Sequence, residues 1–344
     1  MKKLIVAGAG ILDVLVCPVD RDVFEKGSSP VDTIKISTGG DALNEATVLA
    51  RIAQERGKIT LLSVLGRDRA GEMILEHCQK EGISTEFVTV EKNLETGVNV
   101  VMVEKDGSRS FFTNPQSSLR KLSLEHFPED FSMIPGNTEE ICKEETRSAD
   151  EKAGVFCLAS MFVSSELGNR EMAEIFARAK KADLYVCADM TKCKRQETAE
   201  DIREALGYLD YLFANEEEAA LVTGETEPEK MADRLLDCGV KNAVIKCGAR
   251  GCYVKNKELS RQFPAAVDAK CIDTTGAGDS FAAGFLWALS EGMALEKCVA
   301  WANTCGAMAT EAVGACGGIA DRAAVLARMC RSGYAGAGSG KTES

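Results

Sequence analysis

The stretch Asp273–Leu286 combines residue types that bind phosphate with one that accepts a proton. It reads DTTGAGDSFAAGFL, and apolar residues in and after it recur at helical spacing, namely Phe281, Phe285 and Leu289. We expect a helix to begin at the turn Gly276-Ala277-Gly278, where unpaired N–H groups and the helix dipole favour an anion. Asp279 could be a simple favourable charge in the first turn. The glycines and threonines beside it fit a phosphate site with a base better.

A second pair of glycines lies early in the chain, between a predicted strand and a predicted helix. Val31–Ser37 alternates apolar and polar residues, and Ala42–Arg56 carries apolar residues on one helical face. Gly39 and Gly40 separate the two, and Asn44 lies in the first turn of the helix. Two interpretations of Asn44 stay open: it caps the helix, or it presents its amide to a ligand beside the glycines.

Other polar residues follow predicted strands. The carboxyl ends of parallel strands meet at one edge of an open α/β sheet, where ligands bind. The polar residues at such ends are Asp13, Asp189, the run Asn215–Glu218, the loop Lys246–Gly251 and the stretch Asp273–Asp279. Asn215 could simply cap a helix whose first turn is rich in Glu. Because so many polar strand ends converge, we favour a functional interpretation in which Glu218 helps to hold a hydrated Mg²⁺.

The elements that must position these residues alternate as expected for a parallel sheet covered on both faces. Continuous apolar runs predict strands at Lys3–Gly8, Ile59–Leu65, Val155–Ala159, Leu184–Ala188, Tyr211–Ala214 and Ala243–Cys247. Amphipathic runs predict a helix that ends at Glu81 and further helices at Asn169–Ala182, Glu216–Thr223, Glu229–Cys238, Met293–Glu311 and Asp321–Arg331. This alternation predicts the α/β class.

Three half-exposed strands do not belong to that pattern. Thr96–Glu104 and Ser108–Thr113 alternate in polarity on either side of Asp106-Gly107, which is a strong hairpin signal. Together with Val31–Ser37 they predict a small antiparallel sheet, separate from the parallel one.

Composition excludes several classes of function. The chain has 344 residues, 45% apolar and 27% charged, which is typical of a globular protein with one large or two ordinary domains. A net charge of −12 without a basic tract argues against nucleic-acid binding. No apolar run approaches the about 18 residues that cross a membrane, and no signal peptide follows Met1, so no membrane partner is expected.

Cysteine usage predicts a reducing, cytoplasmic setting. The 14 cysteines are scattered without a C-x-x-C pair, and several lie in apolar strands, such as Cys157, Cys187 and Cys247. With only two histidines and no cysteines at ligand spacing, no zinc site is expected.

Three segments carry weaker signals. Gly8-Ala9-Gly10 begins like a dinucleotide fingerprint, but Asp13 replaces its third glycine and no helix follows. Gly340-Lys341-Thr342 imitates the end of a P-loop without the required preceding glycine or strand. Pro128–Lys152 is acidic and lacks periodicity, and we expect a loop with a solvated helix near Glu139–Asp150.

The motifs together make the chain resemble the PfkB/ribokinase family of carbohydrate kinases over nearly its whole length. The quoted motifs are DTTGAGDSFAAG at Asp273–Gly284 and GGDALNEA at Gly39–Ala46. The resemblance implies a ribokinase-like, three-layer α/β domain over residues 1–332, with a parallel sheet and a small β lid built from residues 11–38 and 95–114. It also implies a homodimer formed through the lid. Residues 333–344 are rich in Gly and Ser, and this composition predicts a flexible tail.

The resemblance implies an ATP-dependent kinase that requires Mg²⁺ and phosphorylates a primary hydroxyl of a ribose- or fructose-like sugar. Asp279 would be the base, and the amides of Gly276, Ala277 and Gly278 would stabilise charge on the transferred group. The sugar would contact Asp13, Gly39, Gly40 and Asn44. ATP would contact Asn215, Lys246, Gly248, Gly251 and Asn303, and Glu218 would serve Mg²⁺. A monovalent-cation site, for K⁺, would be formed by Asp273, Thr275, Ala309, Ala312, Gly314 and Gly318.

Two departures from the family leave the sugar undetermined. Where ribokinases carry a Glu that contacts the sugar, this chain has Ser160-Met161-Phe162, and Asp189–Lys194 lacks an Asn and a proline that many fructokinase-like relatives have. A nucleoside kinase of the same fold is an alternative, suggested by Phe111 and Phe112. A sugar-binding regulator without activity is a further alternative, disfavoured because base, anion turn and metal motif are all present.

Overall fold

The strands that organise the fold are the continuous apolar runs of the sequence. A computed structural model describes residues 2–105, 108–134, 152–266 and 269–332. In chain order the strands are β1 Lys3–Ala7, β2 Ile11–Val19, β3 Thr33–Gly39, β4 Ile59–Gly66, β5 Ser84–Glu91, β6 Val98–Glu104, β7 Arg109–Thr113, β8 Gly154–Met161, β9 Leu184–Met190, β10 Tyr211–Asn215, β11 Asn242–Lys246, β12 Cys252–Lys255 and β13 Ser260–Phe263.

Nine of these strands form the main sheet, in the order β13-β12-β11-β10-β9-β8-β1-β4-β5. The strands from β11 to β5 in this order are parallel, and β12 and β13 extend the β11 edge in antiparallel fashion. Because their carboxyl ends share one edge, the polar residues that follow β1, β8, β9, β10 and β11 lie near one another.

Helices cover both faces of this sheet. In chain order the helices are α1 Val23–Lys26, α2 Asp41–Ala53, α3 Arg69–Glu81, α4 Asn169–Lys181, α5 Arg203–Leu206, α6 Glu216–Thr223, α7 Pro228–Asp237, α8 Ala277–Ser290, α9 Leu295–Ala309 and α10 Arg322–Arg331. The short α1 has no buried residue and does not cover the sheet. Alternate residues of a strand point to opposite faces, so Leu4 and Val6 of β1 pack in one apolar core while Ile5 and Ala7 pack in the other. The first core includes α2, α8 and α9, and the second includes α4 and α7. This is the predicted α/β class.

The remaining strands form a second, four-stranded sheet in the order β3-β2-β6-β7, which we call the lid. Its two outer pairs are antiparallel, but the central pair β2–β6 is parallel. The prediction of a wholly antiparallel lid is therefore wrong. β2 and β6 are joined through β4, β5 and the helices between them, and so long a connection permits a parallel pairing that a hairpin does not.

The two faces of the lid differ in character. Paired residues share a face, so the register of β2, β6 and β7 puts Asp13, Asn99, Val101, Phe111 and Arg109 on one side, which we call the inner face. The other side, the outer face, carries Val14, Val16, Ile34, Ile36, Val100, Met102 and Phe112.

Most predicted elements agree with the structure to within a few residues, and some were missed. The helix predicted to begin at Ala42 begins at Asp41 and ends at Ala53, three residues before the predicted Arg56. The strands β5, β12 and β13 were not predicted. The predicted helix near Glu139–Asp150, the Asp106-Gly107 turn and the tail 333–344 lie outside the described residues. Among the helices of the described ranges, none is long and apolar enough to cross a membrane.

Candidate active site

The start of α8 carries the predicted base on the predicted turn. Gly276 is the N-cap of α8 and has a φ of 70°, a left-handed conformation that glycine adopts without strain. A side chain there would also collide with the backbone of Ala315. Asp279 follows in the first turn and is half-buried. Of the predicted anion-binding amides, that of Ala277 donates a 3.3 Å bond to the Thr274 carbonyl, which leaves it the least available of the three.

Asn44 approaches this turn from the opposite side of the site. Its side-chain Nδ2 donates to Asp279 Oδ2 at 2.7 Å, across 235 residues of sequence. The N-cap position of α2 is Gly40, and no side chain caps this helix. Asn44 is therefore not a capping residue; its amide is directed at Asp279, and its contact with a ligand stays a prediction. Burial raises the pKa of Asp279, while the Asn44 hydrogen bond and the Lys246 charge partly oppose this rise.

Asp13 lies on the inner face of the lid, beside the glycine pair. A side chain at Gly39 would collide with the Asp13 carboxylate, so glycine is needed for this close approach. Asn99 Nδ2 donates to Asp13 Oδ1 at 3.3 Å. Burial raises the pKa of Asp13, the Asn99 bond lowers it, and the neighbouring Asp279 carboxylate raises it further. Asp13 and Asp279 thus face one site from the lid and from the main sheet.

An acidic cavity of about 320 Å³ adjoins Asp279. Three further carboxylates line it, those of Asp41, Asp189 and Glu218. Asp41 was not predicted as a site residue. Ser160 Oγ donates to Asp41 Oδ2 at 3.1 Å, so the serine at the departure from the family pattern holds a carboxylate that comes from α2. Burial and the Asp279 carboxylate raise the pKa of Asp41 to about 7.

Lys246 is the cation of this cavity. It is the last residue of β11, and its Nζ lies 2.6 Å from Asp189 Oδ1 in a buried ion pair. Although burial by itself would lower the pKa of Lys246, the carboxylates of Asp189 and Glu218 raise it. A side chain at Gly278 would come within 3.3 Å of Lys246 Nζ, so the charge lies directly against the anion turn. Asp189 was predicted at a strand end, but its pairing with Lys246 was not.

Asn215 and Glu218 form a reciprocal cap at the start of α6. The Asn215 side chain accepts from the Glu218 amide at 2.9 Å, and Glu218 Oε2 accepts from the Asn215 amide at 2.8 Å. Asn215 thus caps the helix, as one of its two interpretations predicted. Asn215 and Glu218 also line the acidic cavity. Burial raises the pKa of Glu218 and Lys246 lowers it.

The donor set of the acidic cavity fits Mg²⁺ bound together with phosphates. Within the described ranges no three His, Cys, Asp or Glu side chains are arranged to hold a metal by themselves. Mg²⁺ is usually held by one or two carboxylates plus substrate phosphates and water, and the cavity offers such carboxylates.

A larger cavity, of about 680 Å³, lies beside the acidic one. Its lining includes the predicted nucleotide-binding residues Gly248, Gly251 and Asn303, together with Phe281 and several alanines. Asn303 is buried and donates to the Pro264 carbonyl at 3.0 Å. The two cavities share Lys246, Gly248 and Gly278. An extended ligand in the larger cavity therefore reaches the acidic cavity past the anion turn.

The residues predicted for a monovalent cation lie in two adjoining loops. The Gly314 amide donates to Asp273 Oδ2 at 2.9 Å, and the Asp273 amide donates to the Thr310 carbonyl at 3.1 Å. Gly318 packs against the backbone of Met308 and Ala309, and the preceding Gly317 lies beside the Ala312 side chain. Arg109 of the lid also contacts Asp273 and Thr275, a contact that no local sequence signal indicates.

Comparison with known proteins gives one family for the whole described fold. The sequence model of the pfkB family of carbohydrate kinases matches residues 1–322. Probable fructokinase-5 from Arabidopsis thaliana is 26% identical over 295 residues, 80% of this chain and 83% of that protein. An aminoimidazole riboside kinase from Salmonella typhimurium is 27% identical over 296 residues, 80% of this chain and 83% of that protein. The structure of Arabidopsis thaliana ribokinase complexed with ribose and ATP has a TM-score of 0.74 at 25% identity, covering 95% of this chain and 98% of that one. The predicted ribokinase-like fold is confirmed.

Proposed function

This chain belongs to the pfkB family of carbohydrate kinases, which transfer phosphate to a sugar hydroxyl, and we propose that it phosphorylates a primary hydroxyl of a ribose- or fructose-like sugar with ATP. The observation that carries the proposal is the position of Asp279. Its carboxylate is held by Asn44 at 2.7 Å, beside the anion turn and at the edge of the acidic cavity. A base, a phosphate seat and a metal-compatible cavity thus adjoin one another.

The proposed reaction is a direct transfer of the γ-phosphoryl group. The sugar hydroxyl, held near Asp13 and Asn44, gives its proton to Asp279 while its oxygen forms a bond to the γ-phosphorus. The bond from that phosphorus to the bridging oxygen of ADP breaks, and ADP leaves. The raised pKa of Asp279 makes it a stronger base than an ordinary aspartate. Lys246 and the amides of the anion turn stabilise the charge on the transferred group.

Mg²⁺, when bound with ATP, supplies charge neutralisation at the phosphates. Glu218 is the proposed protein ligand, and Asp41 and Asp189 lie in the same cavity. The larger cavity suits the rest of the nucleotide. Its lining includes the apolar Phe281 and the polar Asn303.

The charges around Asp13 favour a neutral sugar over a sugar acid. Asp13 and Asp279 are carboxylates, and Lys246 and Arg109 are already paired with Asp189 and Asp273. A substrate carboxylate would meet repulsion from Asp13 and Asp279 without a free cation among the residues described at this site. Hydroxyl groups, in contrast, can donate to both carboxylates and accept from the amides of Asn44 and Asn99.

One observation favours a nucleoside as a second candidate. Phe111 lies on the inner face of the lid and is 59% exposed, next to Val101 on the neighbouring strand. An exposed aromatic ring on that face could stack on a base attached to the ribose. The relative that phosphorylates, by its name, aminoimidazole riboside is consistent with this option.

A substrate panel tests the proposal. ADP release is measured with D-ribose, D-fructose, a 2-keto sugar acid, adenosine and aminoimidazole riboside at equal concentration with Mg²⁺ and ATP. We expect a neutral sugar or a riboside to give the largest kcat/KM, and the sugar acid the smallest. No phosphorylation of any of them, with ATP binding intact, would favour the sugar-binding regulator instead.

The outer face of the lid supports the proposed homodimer. Ile34, Ile36 and Phe112 are 69%, 53% and 51% exposed on that face, and Val14 and Val100 lie between them. An apolar sheet face that spans all the strands of the lid is a typical interface between two copies. A cytoplasmic location stays a prediction; all described cysteines are free thiols, as a reducing compartment would give.

A further inference from the structure

Arg109 joins the lid to the loop that leads into the anion turn. It is the first residue of β7, on the inner face of the lid, and it lies opposite Val103. Its Nη1 donates to Thr275 Oγ1 and its Nη2 to Asp273 Oδ1, across more than 160 residues of sequence. Thr275 directly precedes Gly276, so this contact fixes the approach of the chain to the turn.

The Asp273 carboxylate accepts four hydrogen bonds, most of them on one oxygen. Oδ1 accepts from the Thr275 amide at 2.8 Å, from Thr275 Oγ1 at 2.7 Å and from Arg109. Oδ2 accepts from the Gly314 amide at 2.9 Å. Each carboxylate oxygen offers about two lone-pair sites, so Oδ1, with three donors, is saturated and Oδ2 keeps one site. Although burial would raise it, the pKa of Asp273 is held well below its usual range by the Gly314 amide, Arg109 and Thr275.

This arrangement does not fit a monovalent cation bound through the Asp273 side chain. A cation could approach only through the remaining site of Oδ2, and there it would meet the charge of the Arg109 guanidinium on the same carboxylate. The side chain of Asp273 is 11% exposed, so its charge needs a partner within the protein. Arg109 supplies that partner, with the fork of donors that suits a carboxylate.

We propose that Arg109 takes the place of a monovalent cation at Asp273, so that the lid itself provides the charge that orders the anion turn. The expected effect of Arg109 on the rate rests on the proposed phosphoryl transfer, because that reaction needs an ordered turn to bind the transferred group. Arg109 acts through Asp273 and Thr275, as a positioning residue. The enzyme should therefore work at full rate without K⁺, and turnover should depend on the contact of Arg109 with Asp273 and Thr275.

The test compares wild-type protein with Arg109→Ala, Arg109→Lys and the control Arg21→Ala. Arg21 is an exposed arginine next to the lid strand β2, paired with Glu104 at 2.7 Å, and its removal takes the same charge from the lid. ADP release is measured in KCl, NaCl and choline chloride at one ionic strength, with and without millimolar guanidinium. Thermal unfolding of the ligand-free proteins is followed in the same salts, and circular dichroism checks that each variant is folded.

We expect wild-type and Arg21→Ala rates to agree within about twofold in all salts, because neither needs an added cation. Arg109→Ala should lose at least tenfold in kcat and recover part of it in KCl or guanidinium, and Arg109→Lys should fall between. The melting temperature of Arg109→Ala should rise in KCl relative to choline chloride, while that of the wild type should not.

Strong activation of the wild type by K⁺ would overturn the proposal. So would an Arg109→Ala variant with a normal rate, or one whose loss no cation restores, since that pattern indicates a purely structural role. The melting experiment needs no substrate, so a failure of the proposed function would leave it interpretable: K⁺ must then still stabilise Arg109→Ala and not the wild type.

Discussion

Lys246 sets the charge balance of the site. Its ammonium is surrounded by the carboxylates of Asp189, Glu218 and Asp279, all of which raise its pKa against the effect of burial. One ammonium among several carboxylates does not supply enough positive charge to balance a polyphosphate. Binding of ATP should therefore depend on the metal that accompanies it, and the residue that holds this metal should control the dependence.

Glu218→Gln should raise the Mg²⁺ concentration for half-maximal rate by at least about tenfold, because a neutral amide is a poorer ligand for a hard cation. The measurement is the initial rate of ADP release against free Mg²⁺ at saturating ATP. Glu217→Gln is the matched control, since Glu217 is the neighbour on the same helix, 64% exposed in its side chain and paired with Lys192. Equal Mg²⁺ dependence in the two variants would remove Glu218 from the metal site.

The sequence predicts single residues well where local spacing carries the signal. Asp279 is predicted from its turn, and the amide of Asn44 from the glycine pair before it. Asp41 stands in the same GGD motif, yet its role depends on Ser160, which is 119 residues away. Arg109 meets Asp273 across 164 residues. Such pairings arise only when the sheet and the lid are assembled, so no local pattern encodes them.

The first turns of helix α2 carry several side chains whose roles depend on residues distant in sequence. It carries Asp41, Asn44 and Glu45, and Glu45 is fully buried near the charges of Asp189 and Asp279. An acid at a helix start is ordinarily stabilised by the helix dipole. Here burial outweighs the dipole, because it raises the pKa of Asp41 to about 7 and that of Glu45 well above its usual range.

Asp41→Asn should therefore stabilise the ligand-free protein in a pH-dependent way. The folded-state pKa of Asp41, about 7, lies above the ordinary value of 3.8, so the folded state holds the proton more tightly and loses stability as pH rises between these values. The free energy of unfolding of the variant relative to wild type should grow by on the order of 2 kcal/mol from pH 5 to pH 8.

Urea unfolding at both pH values measures this difference, with the exposed Asp237→Asn as the control substitution. A variant whose stability follows pH as the wild type does would show that Asp41 is not held in its buried, proton-retaining state.

Secondary-structure elements were predictable where the pattern was long and consistent. Helix α6, predicted at Glu216–Thr223, has these bounds in the structure because its reciprocal cap defines its start. The strand β5 was missed because Ser84–Glu91 mixes polar with apolar residues at half-buried positions. The strands β12 and β13 have four residues each, too few for a clear pattern, and in the edge strand β13 only Phe263 is buried.

For the molecule as a whole, the continuous apolar strands and their alternation with helices were enough to predict the α/β class. The parallel pairing of β2 with β6 was not predictable in the same way, since both strands look like members of a hairpin sheet. The two faces of the lid have different roles. The inner face carries Asp13 and Arg109 to the site, and the outer face presents apolar residues to solvent.

A double substitution on the outer face, Ile36→Lys with Phe112→Lys, should convert a dimer to a monomer, because two buried ammonium groups in each copy would have no partners. Light scattering after size exclusion should give about twice 36.9 kDa for the wild type and 36.9 kDa for the variant. Leu326→Lys, at a 45% exposed leucine on α10, is the control and should leave the mass unchanged. A monomeric wild type at micromolar concentration would contradict the proposed interface.

The central claim is that Asp279 accepts the proton of the substrate hydroxyl, and Asp279→Asn tests it most directly. The variant keeps the size of the side chain and can still contact Asn44, but it cannot take up a proton. With the panel compound that gives the fastest ADP release, we predict a kcat at least about 100-fold below wild type. ATP affinity, measured by calorimetry with Mg²⁺, should change by less than about threefold, because the substitution removes the proton acceptor and keeps the size of the side chain. A variant that keeps near-normal phosphorylation rates would contradict the account.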